Sequence, residues 1–233
     1  MAWLLVLPLM GLVLWLLGCR YIPHHRVGIV EKLWSVRGSL SKGRLIAVNG
    51  EAGFQAEILR GGLHVFLFPW QYRVHKVPLV IVPEGKIAYV YARDGNPLPP
   101  TQTLGRVVPC NQFQDAAAFL AGGGERGRQR AFLREGVFAL NLTLFVVITE
   151  EGVFSAPRRD SEVQKYVDWH KHLQTIRGFS PVLIGHGGAT SANAEAPRPD
   201  LPASSHDTIG VVTVHDGPPI DSSEVIAPEV RPA

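Results

Sequence analysis

The stretch AWLLVLPLMGLVLWLLGC, residues 2–19, contains no charged side chain, and Arg20, Arg26 and Lys32 follow closely behind it. Its leucines and valines favour transfer into lipid by about 3–6 kcal/mol, at roughly −0.3 to −0.6 kcal/mol each on an insertion scale, and Pro8 and Gly11 offset part of that. As a helix the run reaches about 27 Å at 1.5 Å per residue, just short of a hydrocarbon core of about 30 Å. The expectation is an N-terminal transmembrane or hairpin helix over residues 1–22, the hairpin bending at Pro8. Trp3, Leu4, Leu5, Leu7, Leu9, Leu12, Leu14, Trp15, Leu16 and Leu17 would form the anchor. Trp3 and Tyr21 stand where interfacial aromatics belong.

The flanking charges separate rival readings of this segment. A secretory signal places Lys or Arg before its apolar run, and Met1, Ala2 and Trp3 supply none. Leu16-Leu17-Gly18-Cys19 looks like a lipoprotein cleavage box with Leu17 in place of the usual small residue, which leaves an exported lipoprotein as an alternative. A buried core helix would need a large apolar partner surface. With the positive charges on its C-terminal side, an uncleaved anchor puts the bulk of the chain on the cytoplasmic side of a cell membrane. Cys19, at the membrane edge, is then an acylation candidate.

The remaining residues suffice for one or two small domains. A net charge of +3, with basic residues dispersed or set against acids, gives no nucleic-acid footprint; Arg126, Arg128, Arg130 and Arg134 form one stripe, read as a solvated helix face. Cys19 and Cys110 are too distant in sequence to suggest a disulfide framework. Segments 27–30, 63–68, 77–82 and 87–92 read as strands, bounded by Gly or Pro and rich in Val, Ile, Tyr and Phe. A short helix is predicted at 115–120 behind a capping Asp115, a second over 126–138, a strand at 142–149, and an amphipathic helix at 160–177 closed by Gly178. Val163, Val167, His170, Leu173 and Ile176 would form the apolar face of this last helix.

Sliding the chain by 122 positions lays Ile87-Ala88-Tyr89-Val90 over Ile209-Gly210-Val211-Val212, and Asp94-Gly95 over Asp216-Gly217. The second copy stops soon afterwards, as a truncated repeat over 208–233. Between them, 185–207 has the Gly, Ala, Ser, Pro and Asn composition of a flexible linker, and 155–184 holds the amphipathic helix and a short strand.

The ordered blocks Val27-Gly28-Ile29-Val30, Gly61-Gly62-Leu63-His64-Val65-Phe66-Leu67-Phe68-Pro69-Trp70, Val82-Pro83-Glu84-Gly85-Lys86-Ile87 and Arg126-Gly127-Arg128-Gln129-Arg130 resemble the SPFH or band 7 superfamily of stomatins, prohibitins and flotillins, nearest its bacterial flotillin-like branch. The resemblance covers about 27–154. It implies an α+β chain whose mixed α/β SPFH-like domain, at 23–154, lies against a membrane leaflet. It further implies a scaffold that organises membrane microdomains and, in full-length form, assembles with copies of itself through a coiled coil. No heptad stretch is present here.

Catalytic motifs fail on spacing. Gly122-Gly123-Gly124-Glu125-Arg126-Gly127 matches a dinucleotide fingerprint but lacks the preceding strand. Ser205, His206 and Asp207 are neighbours in the linker, and His170 and His172 diverge on a helix. The sequon Asn141-Leu142-Thr143 opens a strand. The expectation is a non-enzymatic membrane scaffold without cofactor or metal, whose partners are membrane lipids and other membrane proteins and not nucleic acid. Arg20, Tyr21, Arg26, Lys32, Trp70 and Arg73 would meet lipid headgroups, with 63–70 as a second apolar contact. A regulatory subunit of a membrane protease is the other reading.

Overall fold

The computed structural model describes residues 11, 13, 15, 17–100, 102–156 and 160–181. Twelve strands and two bounded helices occur among them. The chain is mainly β, which corrects the expected α+β architecture built on a membrane helix. Gly11, Val13, Trp15 and Leu17 are helical, but among the described residues no helix is long and apolar enough to cross a membrane. The Gly18 N–H bonds the Trp15 carbonyl at 3.1 Å, and the Gly18 carbonyl accepts from the Leu67 N–H at 2.9 Å. The end of the apolar run is thus tied to the folded domain, whereas a span needs about 20 free apolar residues. A single N-terminal anchor holding the chain at a cell membrane, with its bulk on the cytoplasmic side, is therefore not supported. Trp3, Leu4, Leu5, Leu7, Leu9, Leu12, Leu14 and Leu16 lie outside the described residues, as do the linker and the second repeat.

Strands β1 (Arg20–Ile22) and β5 (Gly62–His64) pair antiparallel as a ribbon. A first four-stranded sheet follows the order β3 (Ile46–Ala47), β4 (Gly53–Leu59), β2 (Arg26–Lys32), β6 (Tyr72–Pro78). A second runs β12 (Val153–Phe154), β11 (Phe145–Ile148), β8 (Ala88–Ala92), β9 (Gly127–Leu133), and β7 (Val80–Val82) pairs separately with β10 (Gly136–Phe138). Helices are α1 (Ala116–Ala121) and α2 (Asp160–Thr175).

The core joins the two larger sheets. Val27, Ile29 and Val77 from the first pack in one cluster with Ala88, Val90, Phe145 and Val147 of the second and with Phe119 of α1. Asp115 caps α1, its carboxylate accepting from the Ala118 N–H at 2.8 Å, as the sequence led one to expect. Because side chains alternate along a strand, Tyr89, Tyr91, Val146 and Ile148 face the other way, and α2 covers them with Tyr166, Trp169 and Leu173. The buried stripe of α2 thus runs through Tyr166 and Leu173, while Ile176 is exposed. Arg177, not Gly178, takes the left-handed turn after the helix at φ 52. Gly178 N–H to Leu173 O at 2.8 Å and Arg177 N–H to Gln174 O at 3.2 Å complete a Schellman closure. No strand follows α2 among the described residues.

Several other expectations shift. Residues 126–138 form β9 and β10 in place of a helix: Arg128 and Arg130 point outward while Gln129 and Leu133 are buried, a period of two set by pairing with β8. Arg128 and Arg130 of the stripe lie on a strand face, Arg126 and Arg134 just beyond its two ends, and Arg128 stacks 4.5 Å over the Trp169 ring. Segment 77–82 is divided between β6 and β7 at Leu79, and strand geometry in 63–68 stops at His64.

Two buried polar side chains fasten the layers. Asp94 accepts from the Leu45 and Ile46 N–H groups at 2.7 and 2.9 Å, which holds β3 against the start of the β8–α1 connection. Asn141 donates to the Gln55 and Ala56 carbonyls at 2.9 and 3.1 Å and accepts from the Thr143 and Leu144 N–H groups. The sequon asparagine is therefore a structural fastener with no free amide.

Candidate functional site

Gly28 sits in the middle of β2, and its missing side chain creates a slot on the outer face of the first sheet. A Cβ there would meet the tip of Ile22 and lie 3.0 Å from Val74 Cγ1. Ile22 fills the slot and is fully buried, so the β1–β5 ribbon lies over the sheet. Its neighbours then point outward: Tyr21 and Leu63 are register partners and both are exposed. Strand alternation thus turns an inward anchor at Ile22 into an outward apolar pair.

The same surface continues along the loop after β5. Phe66 is 65 % exposed and holds φ 65, a left-handed backbone that a bulky L-residue adopts at a cost of about 1–2 kcal/mol. Phe68 and Trp70 stack with ring centroids 4.8 Å apart and planes 12° from parallel. The Trp34 indole N–H donates to the Trp70 carbonyl at 3.1 Å, and the Leu33 N–H to the Gln71 carbonyl at 2.8 Å, bringing the 33–34 loop to the same edge. Trp34, Trp70, Leu33 and Val65 are all exposed there, and Gly18 joins them through its bond to Leu67. Trp15 and Leu17 are exposed one turn earlier. Scattered surface apolar residues are ordinary, but a connected set of this size marks a contact surface. Beside Phe66 and Phe68 it holds Tyr21, Trp34 and Trp70, residue types favoured where an apolar medium meets water.

The residues expected at lipid headgroups are only partly gathered. Tyr21 and Trp70 belong to the rim, and Arg20 lies on the ribbon opposite His64. Arg73 is near the rim but shares Glu31 with His75, at 3.7 and 2.7 Å. Lys32 is committed elsewhere, its ammonium donating to the Gly50 carbonyl at 2.8 Å. Arg26 stands at the other end of β2, about 20 Å away at roughly 3.3 Å per residue. Trp34 was not foreseen; an isolated Leu-Trp pair between charged and polar residues was the signal for it.

Chemically reactive groups are few. Burial, with the nearby Asp115 charge, pushes the Cys110 thiol up, away from the thiolate that nucleophilic work requires. Burial likewise raises the Tyr89 phenol, which donates to the Gly178 carbonyl at 2.7 Å. Glu51, at the mouth of a cleft of about 330 Å3 that also holds Arg44, is kept below the usual carboxylate range, first by a hydrogen bond to its own backbone N–H and then by Asn49 and Arg37. Among the described residues no group of three or more His, Cys, Asp or Glu side chains is placed to hold a metal ion. Cys19 is half-buried, its thiol donating to the Trp15 carbonyl at 3.3 Å. The glycines at 122–124 serve packing: a Cβ on Gly124 would lie 2.5 Å from the Phe119 ring.

No protein-family model, no curated protein and no solved structure matches the chain.

Proposed function

We propose that this chain is a non-enzymatic scaffold of the SPFH kind, whose sequence blocks it resembles, and that it engages a lipid surface peripherally through the aromatic rim. Copies of the chain held side by side on the bilayer would then organise lipids or other membrane proteins. The observation that carries this reading is Phe66: a large ring kept in solvent on an unfavourable backbone is retained for contact, since folding gains little from it. Tyr21, Trp34, Leu63 and Trp70 surround it with residues suited to shallow insertion, and Arg20 and Arg73 stand beside them to meet headgroup phosphates.

The test is partitioning of the full chain onto phosphatidylcholine vesicles, with Leu63→Ser/Trp70→Ser as the variant. Weaker binding by the variant at unchanged melting temperature supports the rim. Equal binding assigns membrane contact elsewhere and removes the proposal.

A further inference from the structure

A cleft of about 200 Å3 opens where the β1–β2 turn meets the β4–β5 turn, lined by His24, Arg26, Arg60 and Gln114 together with the apolar Leu79 and Val137. No carboxylate is among its lining residues. Neither Arg26 nor Arg60 takes part in an ion pair among the described residues. Arg26 and Arg60 are both exposed on the walls of the cleft, so an anion entering it meets two cationic side chains and no carboxylate. The close approach is built in. Gly61 has no side chain, and a Cβ there would lie 2.7 Å from both the Cα and the Nδ1 of His24.

Gln114 reaches the cleft by an unusual route. Asn111, Gln112 and Phe113 hold φ 49, 52 and 63 in succession, a left-handed run that L-residues rarely form. Phe113 is buried at its end against Phe119 and Phe145, and the next residue is delivered to the cleft wall. The Gln114 carbonyl oxygen accepts from the Ala139 N–H at 3.5 Å, leaving its amide NH2 as a neutral donor.

We propose that this cleft binds a phosphate monoester. Guanidinium forks match phosphate oxygens two at a time, and the Gln114 amide adds a donor without adding charge. The volume falls below the roughly 300–1,000 Å3 of drug-sized ligand pockets and suits a phosphate carrying a small organic group. A soluble ester and the headgroup of phosphatidic acid share this chemistry. The site shares no residue with the rim: Trp34 and Trp70 lie beyond the opposite end of β2, and Tyr21 and Leu63 lie further along the β1–β5 ribbon.

The experiment titrates glycerol 3-phosphate into the full chain by calorimetry at fixed ionic strength, and in parallel measures sedimentation with phosphatidic acid and phosphatidylcholine vesicles. Saturable ester binding that is about ten- to a hundredfold weaker in Arg60→Gln, and lost in Arg26→Gln/Arg60→Gln, supports the cleft with a soluble ligand. The same losses seen only on phosphatidic acid vesicles support it with the lipid as source. Gln114→Ala, which keeps both charges, should weaken binding severalfold and serves if the double variant unfolds. Absence of binding to both probes, or binding indifferent to all three variants, overturns the proposal. Rim contact is read on phosphatidylcholine alone, so the two readings fail separately.

Discussion

Replacing Phe66 by glycine should make the protein more stable and a poorer membrane binder at the same time. Holding a bulky L-residue at φ 65 costs about 1–2 kcal/mol, and glycine relieves it. The greater unfolded-state freedom of glycine takes back about 0.5–1 kcal/mol. The net gain of about 0.5–1 kcal/mol corresponds to a rise in melting temperature of roughly 1–4 °C for a chain of this size. The ring is 65 % exposed, so of an aromatic side chain's roughly 200 Å2 about 130 Å2 faces solvent. At about 25 cal/mol per Å2 full immersion in lipid would contribute about 3 kcal/mol, and half-immersion about 1.5 kcal/mol, or roughly tenfold in partition. Differential scanning fluorimetry reads the first effect, and lipid titration with phosphatidylcholine vesicles the second. The apolar residues at 2–17 are common to both proteins and cancel in the ratio. A lower melting temperature would show that the ring belongs to the fold, and unchanged partition with a higher melting temperature would refute its role at the lipid surface.

Asn141→Ala removes the side-chain donor to the Gln55 and Ala56 carbonyls and the acceptor of the Thr143 N–H, while the Leu144 N–H keeps the residue-141 backbone carbonyl at 3.0 Å, and chemical denaturation should show a loss of about 2–4 kcal/mol. Arg177→Gly frees the left-handed residue after α2 and should raise stability by about 0.5–1 kcal/mol in the same assay, because Gly carries no Cβ penalty there. Cys110 should resist iodoacetamide at pH 7 and 8 while Cys19 is alkylated: a raised thiol pKa keeps Cys110 neutral across that range, and burial blocks access. Intact-mass analysis showing one adduct in native buffer and two in denaturant meets this expectation.

The sequence displayed the elements whose signals are local. The strands at 27–30 and 87–92 announce themselves by β-branched and aromatic residues, and α1 by Asp115 ahead of three alanines. Residues 126–138 misled because Arg, Gln, Ala, Leu and Glu are good helix formers; pairing with β8 overrides that preference. β4, with the sequence GFQAEIL, escaped notice for the complementary reason, since Gln, Ala and Glu are poor strand formers and its place between β3 and β2 is a tertiary property. The face of α2 was displaced toward Tyr166 because Val163, Val167 and Ile176 looked more apolar than the aromatics that pack. At the rim, the apolar run ending in Trp70 was visible. The left-handed Phe66 and the arrival of Trp34 were not, because each depends on how distant loops meet. Lys32 and Arg26 were grouped by sequence proximity, whereas β2 carries them to opposite ends of a strand.

The most direct measurement is hydrogen–deuterium exchange of the full chain with and without phosphatidylcholine vesicles. The account predicts slowed exchange at 17–21, 33–34 and 63–71 on vesicle binding, with 163–175 unchanged. Vesicle-bound protein whose exchange at 63–71 stays as it was in solution would contradict it.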